Sequence, residues 1–166
     1  AVDVETRDPH IKSKGPGWPT GDGEVVGYAI AVDGWAGYIP IRHQHGGNLD
    51  ERIVNKWLKK VFESPADKIM HNATYDAGWL RAEGIEIKGK IIDTMVAAPL
   101  VDENRFSYSL NNLGRDYIDM RKDEKMLRAA AKDFGIDPKS EMWRLPPKFV
   151  GPYAEQDALT VSYTHL

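Results

Sequence analysis

The stretch Ala1-Val2-Asp3-Val4-Glu5-Thr6 at the start of the chain decides how the rest is interpreted. Its apolar, β-branched composition predicts a strand, and because side chains alternate faces along a strand, Asp3 and Glu5 share one side. Two like charges side by side cost energy unless a cation neutralises them, and Mg²⁺ prefers hard oxygen ligands of this kind. The alternative is a strand edge with two solvated acids, so the interpretation depends on further acids in matching settings.

Length and composition indicate one globular domain over residues 1–166. The chain has 28% charged and 42% hydrophobic residues, which is typical of a soluble protein large enough to bury a core. No apolar run approaches the ~20 residues that a membrane span needs, and no secretory pattern stands at the start. The absence of Cys excludes disulfides and thiolate metal sites and is compatible with a reducing cytosol. We therefore expect a cytoplasmic protein without a membrane segment.

The net charge of −3 counts against a module that coats DNA non-specifically. It does not count against an enzyme that holds a nucleic-acid end through metal ions, because such a site must itself be acidic. The chain starts without Met and has its first carboxylate at position 3. We therefore expect a fragment of a longer protein with a truncated first strand, and we treat residues 162–166 as candidates for a non-native end.

The order of periodic segments predicts an α/β layer with a mixed sheet that is antiparallel on one side. Asp33-Gly34 between two β-rich runs is a strong hairpin signal, and Pro40 places the second of those strands at the sheet edge. Asn48 with Glu51 predicts the cap of the next helix. That helix has one apolar face, made of Leu49, Ile53, Val54, Trp57, Leu58, Val61 and Phe62.

Further elements follow the same reasoning. Residues 68–70 and 91–92 predict short strands, each leading into a helix, and Asp93 is the expected N-cap of the second helix. Helical segments follow from Ser109 on, and residues 138–148 predict an ordered loop. The last helix is expected from about residue 151 to 162, with Pro152 in its first turn.

Two later segments each supply an acid in a recognisable setting. Asn72 and Asp76 are four residues apart at a helix start and therefore share a face just beyond a buried strand. Tyr153 and Asp157 are also four apart, on the last helix. Taken alone, each pair has an ordinary structural explanation: a helix cap with a first-turn acid, and a core tyrosine with a surface aspartate. Coincidence is a poor explanation for all three segments together.

The three segments together resemble the exonuclease motifs of the DEDD superfamily. The tyrosine before the last aspartate is similar to the DEDDy branch, and the closest resemblance is to the 3′→5′ proofreading domain of phage-like family A DNA polymerases. Asp93-Thr94 and Ser109-Leu110 resemble the segment between the second and third motifs. The resemblance implies an RNase H-like fold, with a mixed five-stranded sheet flanked by helices.

The resemblance also implies the roles of individual residues. Asp3, Glu5, Asp76 and Asp157 would be the metal-binding carboxylates for two divalent ions, Mg²⁺ or Mn²⁺. One ion would be held by Asp3, Glu5 and Asp157 and the other mainly by Asp3, with Asp76 acting directly or through water. Two such ions ~4 Å apart can activate a water and stabilise the leaving 3′ oxygen. The remaining assignments are Tyr153 and Glu5 for orienting the water, and Thr6 and Asn72 for holding the terminal nucleotide.

A basic cluster is a further candidate for contact with the nucleic-acid strand. A helical face exposed to solvent explains the same residues equally well. It consists of Arg115, Arg121, Lys122, Lys125 and Arg128. His43, His45 and His71 do not form a metal-ligand spacing, and no catalytic role is assigned to them.

The expected function is removal of 5′-mononucleotides from single-stranded or frayed DNA 3′ ends. The expected partners are the DNA 3′ end and a polymerase domain of the same parent chain, in a monomeric protein. An RNase D-like exoribonuclease is the first alternative, because spacing does not reveal contacts to a 2′-hydroxyl. The second is a non-catalytic RNase H-like scaffold, which would not need all four acids and the tyrosine.

Overall fold

The computed structural model describes residues 1–165 and has an α/β architecture, as the sequence predicts. The strands are β1 (Val2–Arg7), β2 (Glu24–Val32), β3 (Trp35–Pro40), β4 (Lys68–Met70) and β5 (Ile91–Asp93). The helices are α1 (Ile11–Lys14), α2 (Glu51–Glu63), α3 (Ala73–Ala82), α4 (Thr94–Val101), α5 (Leu110–Ile118), α6 (Lys125–Phe134) and α7 (Pro147–Thr164), with a 3₁₀ turn at Met142–Arg144.

The first three strands form an antiparallel sheet in the order β1-β2-β3. The Asp33-Gly34 hairpin is confirmed, since Val32 pairs with Trp35 and Gly34 has a φ of 74°. Strand β3 is an edge of this sheet, as Pro40 predicts. The register of β1 against β2 shifts between Glu5 and Thr6, so a bulge follows immediately after the paired acids.

A single five-stranded sheet, as expected from the resemblance, is not formed by the described residues. Strands β4 and β5 make a separate parallel pair in which Met70 lies opposite Asp93. Strand β4 lies against β1, but its three residues form their ladder with β5. The strands are therefore arranged as three plus two.

The main core lies between the three-stranded sheet and helices α2 and α3. Its largest fully buried side chains include Tyr28, Leu58, Phe62, Met70 and Leu80. Burial of one such apolar side chain contributes about 1.5–3 kcal/mol. Helix α2 contributes at i, i+4 spacing and begins after an N-cap whose carboxylate accepts two backbone N–H groups.

Helix α7 crosses the other face of the sheet at close range. Ala154 and Ala158 of the helix pack against Ala29 and Ala31 of β2, and all four are fully buried. Side chains this small let the helix backbone approach the sheet closely. The contact fixes where the polar side chains of α7 stand relative to β1.

Two expected boundaries are wrong. The N-cap of α2 is Asp50, because Asn48 instead bonds the backbone N–H and carbonyl of His43 at 2.7 and 2.8 Å. Helix α7 begins at Pro147, so Pro152 lies inside it. A proline at the helix start needs no N–H partner, which is why the earlier proline can open the helix.

None of the helices within residues 1–165 has the length and hydrophobicity needed to cross a membrane.

Candidate active site

Strand β1 presents its acids away from the main core. Val2 and Val4 are buried in that core, whereas Asp3 and Glu5 are partly exposed on the other face, which α7 covers. Their partners on β2 are Ala29 and Gly27, so no large side chain from β2 fills the space beside them. The alternation of β1 therefore separates a core face from an acidic face.

Asp76 approaches this acidic face from α3. It is 3% exposed, and its Oδ2 has no hydrogen-bond partner among the described residues. The helix begins after Asn72, whose backbone is left-handed at φ 70° and ψ 54° and whose side chain makes no cap bond. Such a conformation costs energy for a non-glycine residue, so the surrounding structure must hold it.

Tyr153 and Asp157 stand one turn apart on α7. Asp157 is 5% exposed, and its Oδ2 accepts a hydrogen bond from the Lys122 ammonium at 2.6 Å. The same ammonium lies 3.3 Å from the Tyr153 hydroxyl. The second carboxylate oxygen of Asp157, Oδ1, is buried and has no partner within residues 1–165.

The charges of neighbouring acids raise the pKa of Asp3, Glu5 and Asp76, which indicates that these acids and Asp157 lie close together. Burial, and then the charge of Asp157, raise the pKa of Asp3 to about 7. Burial and the charges of Asp3 and Asp157 raise the pKa of Glu5 well above its ordinary value. The pKa of Asp76 is also raised well above its usual range, by burial and then by Asp3 and Glu5. The pKa of Asp157 is raised by burial, and Lys122 acts in the opposite direction.

The pocket has the donor groups of a divalent-cation site, but its side chains are not positioned to coordinate an ion together. It offers hard carboxylate oxygens, two of them buried without partners, and it concentrates negative charge. No group of three Asp, Glu or His side chains in the described part of the chain is arranged to hold a metal as it stands. The donor set fits a hard divalent cation, and the positive charge in the pocket belongs to Lys122.

Thr6 lies just past the bulge. Its hydroxyl donates to the Tyr75 hydroxyl at 2.7 Å, and Tyr75 in turn donates to Asp8 at 3.1 Å. This chain of hydrogen bonds ties the end of β1 to α3. The Thr6 side chain is therefore occupied, which leaves its backbone as the part suited to contact a ligand.

Sequence reasoning did not single out Lys122 from the basic cluster. Arg128 pairs with Glu124, and Arg115 with Asp116, on the surface, whereas Lys122 reaches the acids. Nothing in the local sequence distinguishes this lysine, because its direction depends on how the loop before α6 docks on α7.

Asp93 is the second residue whose importance was missed. It caps α4, as expected, but it also accepts the backbone N–H groups of Asn72 and Ala73 at 3.0 and 2.8 Å. Its position at the end of β5, beside β4, could have suggested this bridge, since parallel neighbours end at the same edge. The carboxylate is therefore a link between two helix starts.

The histidines remain outside the site chemistry. His43 is buried, with Nδ1 donating to the Leu145 carbonyl at 2.8 Å and Nε2 2.7 Å from the Tyr38 hydroxyl. Burial lowers the pKa of His43, so the ring is neutral and the Tyr38 hydroxyl donates to it. His71 bonds Thr94 in a similar structural setting.

Comparison with known proteins finds relatives among DNA polymerases. A DNA polymerase of Pseudomonas phage M6 is 43% identical over 164 residues, which is 95% of this chain and 24% of that polymerase. The DNA polymerase DpoZ of Acinetobacter phage SH-Ab 15497 is 31% identical over 64% of this chain and 18% of its own length. DNA polymerase I of Synechocystis is 27% identical over 72% of this chain and 12% of its own length.

The chain spans a quarter or less of the length of these curated relatives. A family model described as 3′-5′ exonuclease of A-type DNA polymerases matches residues 20–165. Asp3 and Glu5 precede the matched range, so their assignment rests on the geometry described above. Because the match covers most of the chain, the protein belongs to the 3′-5′ exonuclease family of A-type DNA polymerases.

Proposed function

We propose that this chain is a metal-dependent 3′→5′ exonuclease that removes 5′-mononucleotides from single-stranded or frayed DNA 3′ ends. One observation carries the proposal: acids from three distant segments come close enough that Asp157 raises the pKa of Asp3 and Glu5, and these two raise the pKa of Asp76. Members of this family depend in general on divalent metal ions. The family also supports an RNase H-like fold, with the 3+2 strands as a divided form of its sheet.

Asp3, Glu5 and Asp157 would hold one divalent ion, and Asp3 with Asp76, directly or through water, a second. When bound, these ions supply the positive charge that activates a water and stabilises the departing 3′ oxygen. The buried oxygens of Asp76 and Asp157 that lack partners would gain one in this way. Burying these carboxylate oxygens without a partner is costly, and a bound cation would remove that cost.

Tyr153 would orient the attacking water rather than take its proton. Burial, and then the charges of Asp157 and Glu5, raise the pKa of the Tyr153 phenol far above neutral pH. The hydroxyl therefore stays protonated and can both donate and accept one hydrogen bond. The Glu5 carboxylate would accept a hydrogen bond from the same water.

Asn72 and Thr6 would hold the terminal nucleotide. The left-handed backbone of Asn72 leaves its amide unused by the helix cap, and the backbone of Thr6 follows the bulge. Neither contact reads a base edge, so little sequence preference is expected. DNA is favoured over RNA as substrate because the relatives are DNA polymerases.

The parent protein is proposed to carry a polymerase domain beyond this segment and to act in the cytoplasm as a monomer, with this domain proofreading. The relatives support the polymerase domain, because the matched region is only a fraction of each polymerase.

The decisive experiment compares 5′-mononucleotide release from a single-stranded DNA oligonucleotide in Mg²⁺ or Mn²⁺ by wild type, Asp3→Asn and Asp157→Asn. Both variants should lose activity by several orders of magnitude, because each removes a charge from the metal ligands. Asp133→Asn, an exposed acid on α6, is the matched control and should cleave like wild type. Equal rates for wild type and both site variants would show that the assignment is wrong, and faster cleavage of an RNA of the same sequence would favour the exoribonuclease alternative.

A further inference from the structure

The loop between α5 and α6 is held to α7 by one side-chain amide. Gln156 Nε2 donates to the carbonyl of Arg121 at 2.7 Å, and Gln156 Oε1 accepts the backbone N–H of Asp123 at 2.9 Å. These two bonds lie on either side of Lys122. Because Gln156 directly precedes Asp157, the clamp places the Lys122 backbone beside the acidic pocket.

The Lys122 side chain then places its ammonium inside the pocket. Besides the 2.6 Å contact with Asp157, the ammonium lies 4.9 Å from the centre of the Tyr153 ring, within cation–π range. Its charge also opposes the raised pKa values of Asp3 and Glu5. A single positive charge is therefore shared by acids of β1 and α7.

We propose that Lys122 is a resident counter-ion of the metal-free site, and that a divalent cation binds by displacing its ammonium from Asp157. The divalent-cation site itself rests on the function proposed above. The exchange explains how the pocket keeps several acids together when no divalent ion is bound.

The exchange is geometrically simple. The clamp holds the backbone on both sides of Lys122, so the loop need not move, and the flexible four-carbon stem can carry the ammonium away. One ammonium neutralises one charge, whereas a divalent ion can bind Asp3, Glu5 and Asp157 together. The doubly charged ion is therefore expected to displace the Lys122 ammonium when the ion is present.

The first test measures Mn²⁺ binding without DNA, by isothermal titration calorimetry. Lys122→Met should bind Mn²⁺ about tenfold more tightly than wild type, since the competitor is gone; this corresponds to about 1.4 kcal/mol. Lys132→Met removes the same charge from an exposed site on α6 and should leave the affinity unchanged. Lys122→Gln repeats the test with a polar side chain, in case the methionine variant does not fold.

The second test needs no metal. A double-mutant cycle of Lys122→Met and Asp157→Asn, unfolded by urea in EDTA, should show that the two residues are energetically coupled. Strictly additive effects, or Mn²⁺ affinity in the Lys122 variants equal to or weaker than wild type, would overturn the exchange. If wild type does not bind Mn²⁺, or if Asp157→Asn binds it as well as wild type does, the metal site itself is wrong. This outcome differs from the ones that overturn only the exchange, so the two failures are distinguishable.

Discussion

Asp93 accepts the backbone N–H of Asn72 at 3.0 Å, a contact that ties the start of α3 to the end of β5. The same carboxylate also accepts the N–H groups of Ala73, Met95 and Val96 at 2.8, 2.9 and 3.4 Å. It therefore caps two helices and holds Asn72 in its left-handed conformation. Asp93 therefore helps to orient the helix that carries Asp76.

Asp93→Ala should lower the free energy of unfolding by about 2 kcal/mol, because two helix starts each lose a cap worth ~1 kcal/mol. Exonuclease activity should fall too, since Asn72 and Asp76 lose their fixed positions. Asp50→Ala, which removes the equivalent cap from α2 away from the site, should cost ~1 kcal/mol and spare activity. Urea unfolding and a nuclease assay measure both, and equal effects of the two variants would contradict the bridging role.

Without metal, ionisation of Asp3 should destabilise the fold. Its pKa is about 7 in the folded protein against 3.8 in the unfolded chain, so the folded state binds more protons between these values. Stability from this group is complete below pH ~4 and is lost as pH rises through ~7. Buried His43 and partly buried His71 have lowered pKa values and act in the opposite direction below pH ~6.5. Asp3 must therefore be isolated by comparison with a variant.

In EDTA, Asp3→Asn should match wild type at pH ~4 and exceed its stability by up to ~4 kcal/mol at pH ~8, since one pKa unit is worth about 1.4 kcal/mol and the pKa rises from 3.8 to about 7. Solvent screening of this partly exposed carboxylate lowers the figure. Urea unfolding at a series of pH values measures the difference. Saturating Mn²⁺ should reverse the order at high pH, because only wild type keeps all the ligands. A difference that does not change with pH would contradict the assigned pKa.

Local features of this molecule are predictable from the sequence, whereas long-range features are not. The hairpin at Asp33-Gly34 and the cap at Asp93 were predictable, because turn chemistry and capping depend on adjacent residues. The exposure of Ile53 and Trp57 on the apolar face of α2 was not, because the width of the buried strip depends on what packs against it. The division into three plus two strands likewise depends on tertiary packing.

The same distinction holds at the site. Three short motifs, through their resemblance to a known family, predict which acids meet, because each sits at a defined place on a strand or helix. The Lys122 contact was not predictable, since it depends on hydrogen bonds of Gln156 to the backbone of a distant loop. The raised pKa values also arise from the assembled pocket and from no single segment.

Arg42 should be a major contributor to stability. Its guanidinium donates to Glu83 and Glu51 and, at 2.8 Å, to the carbonyl of Val25, and its side chain is only 20% exposed. Arg42→Met leaves a half-buried carboxylate and a carbonyl without their donor and should cost about 2–4 kcal/mol. Arg128→Met breaks an exposed pair on α6 and should cost less than ~1 kcal/mol. Thermal and urea unfolding measure both, and similar losses would contradict the role of burial.

A final pair of variants tests how tightly α3 is packed. A Cβ added to Gly78 would lie 2.3 Å from Cε2 of Trp18, whereas one added to Gly151 of α7 would meet Tyr38 at 3.6 Å, an ordinary contact. Gly78→Ala should therefore destabilise by about 1–3 kcal/mol through overpacking, despite the better helix propensity of alanine. Gly151→Ala should instead be neutral or stabilise by up to ~1 kcal/mol. Because Asp76 lies two residues from Gly78, Gly78→Ala should also weaken Mn²⁺ binding. Stabilisation by both variants would contradict the overpacking argument, because it would show that the Trp18 side chain can move aside without loss of stability.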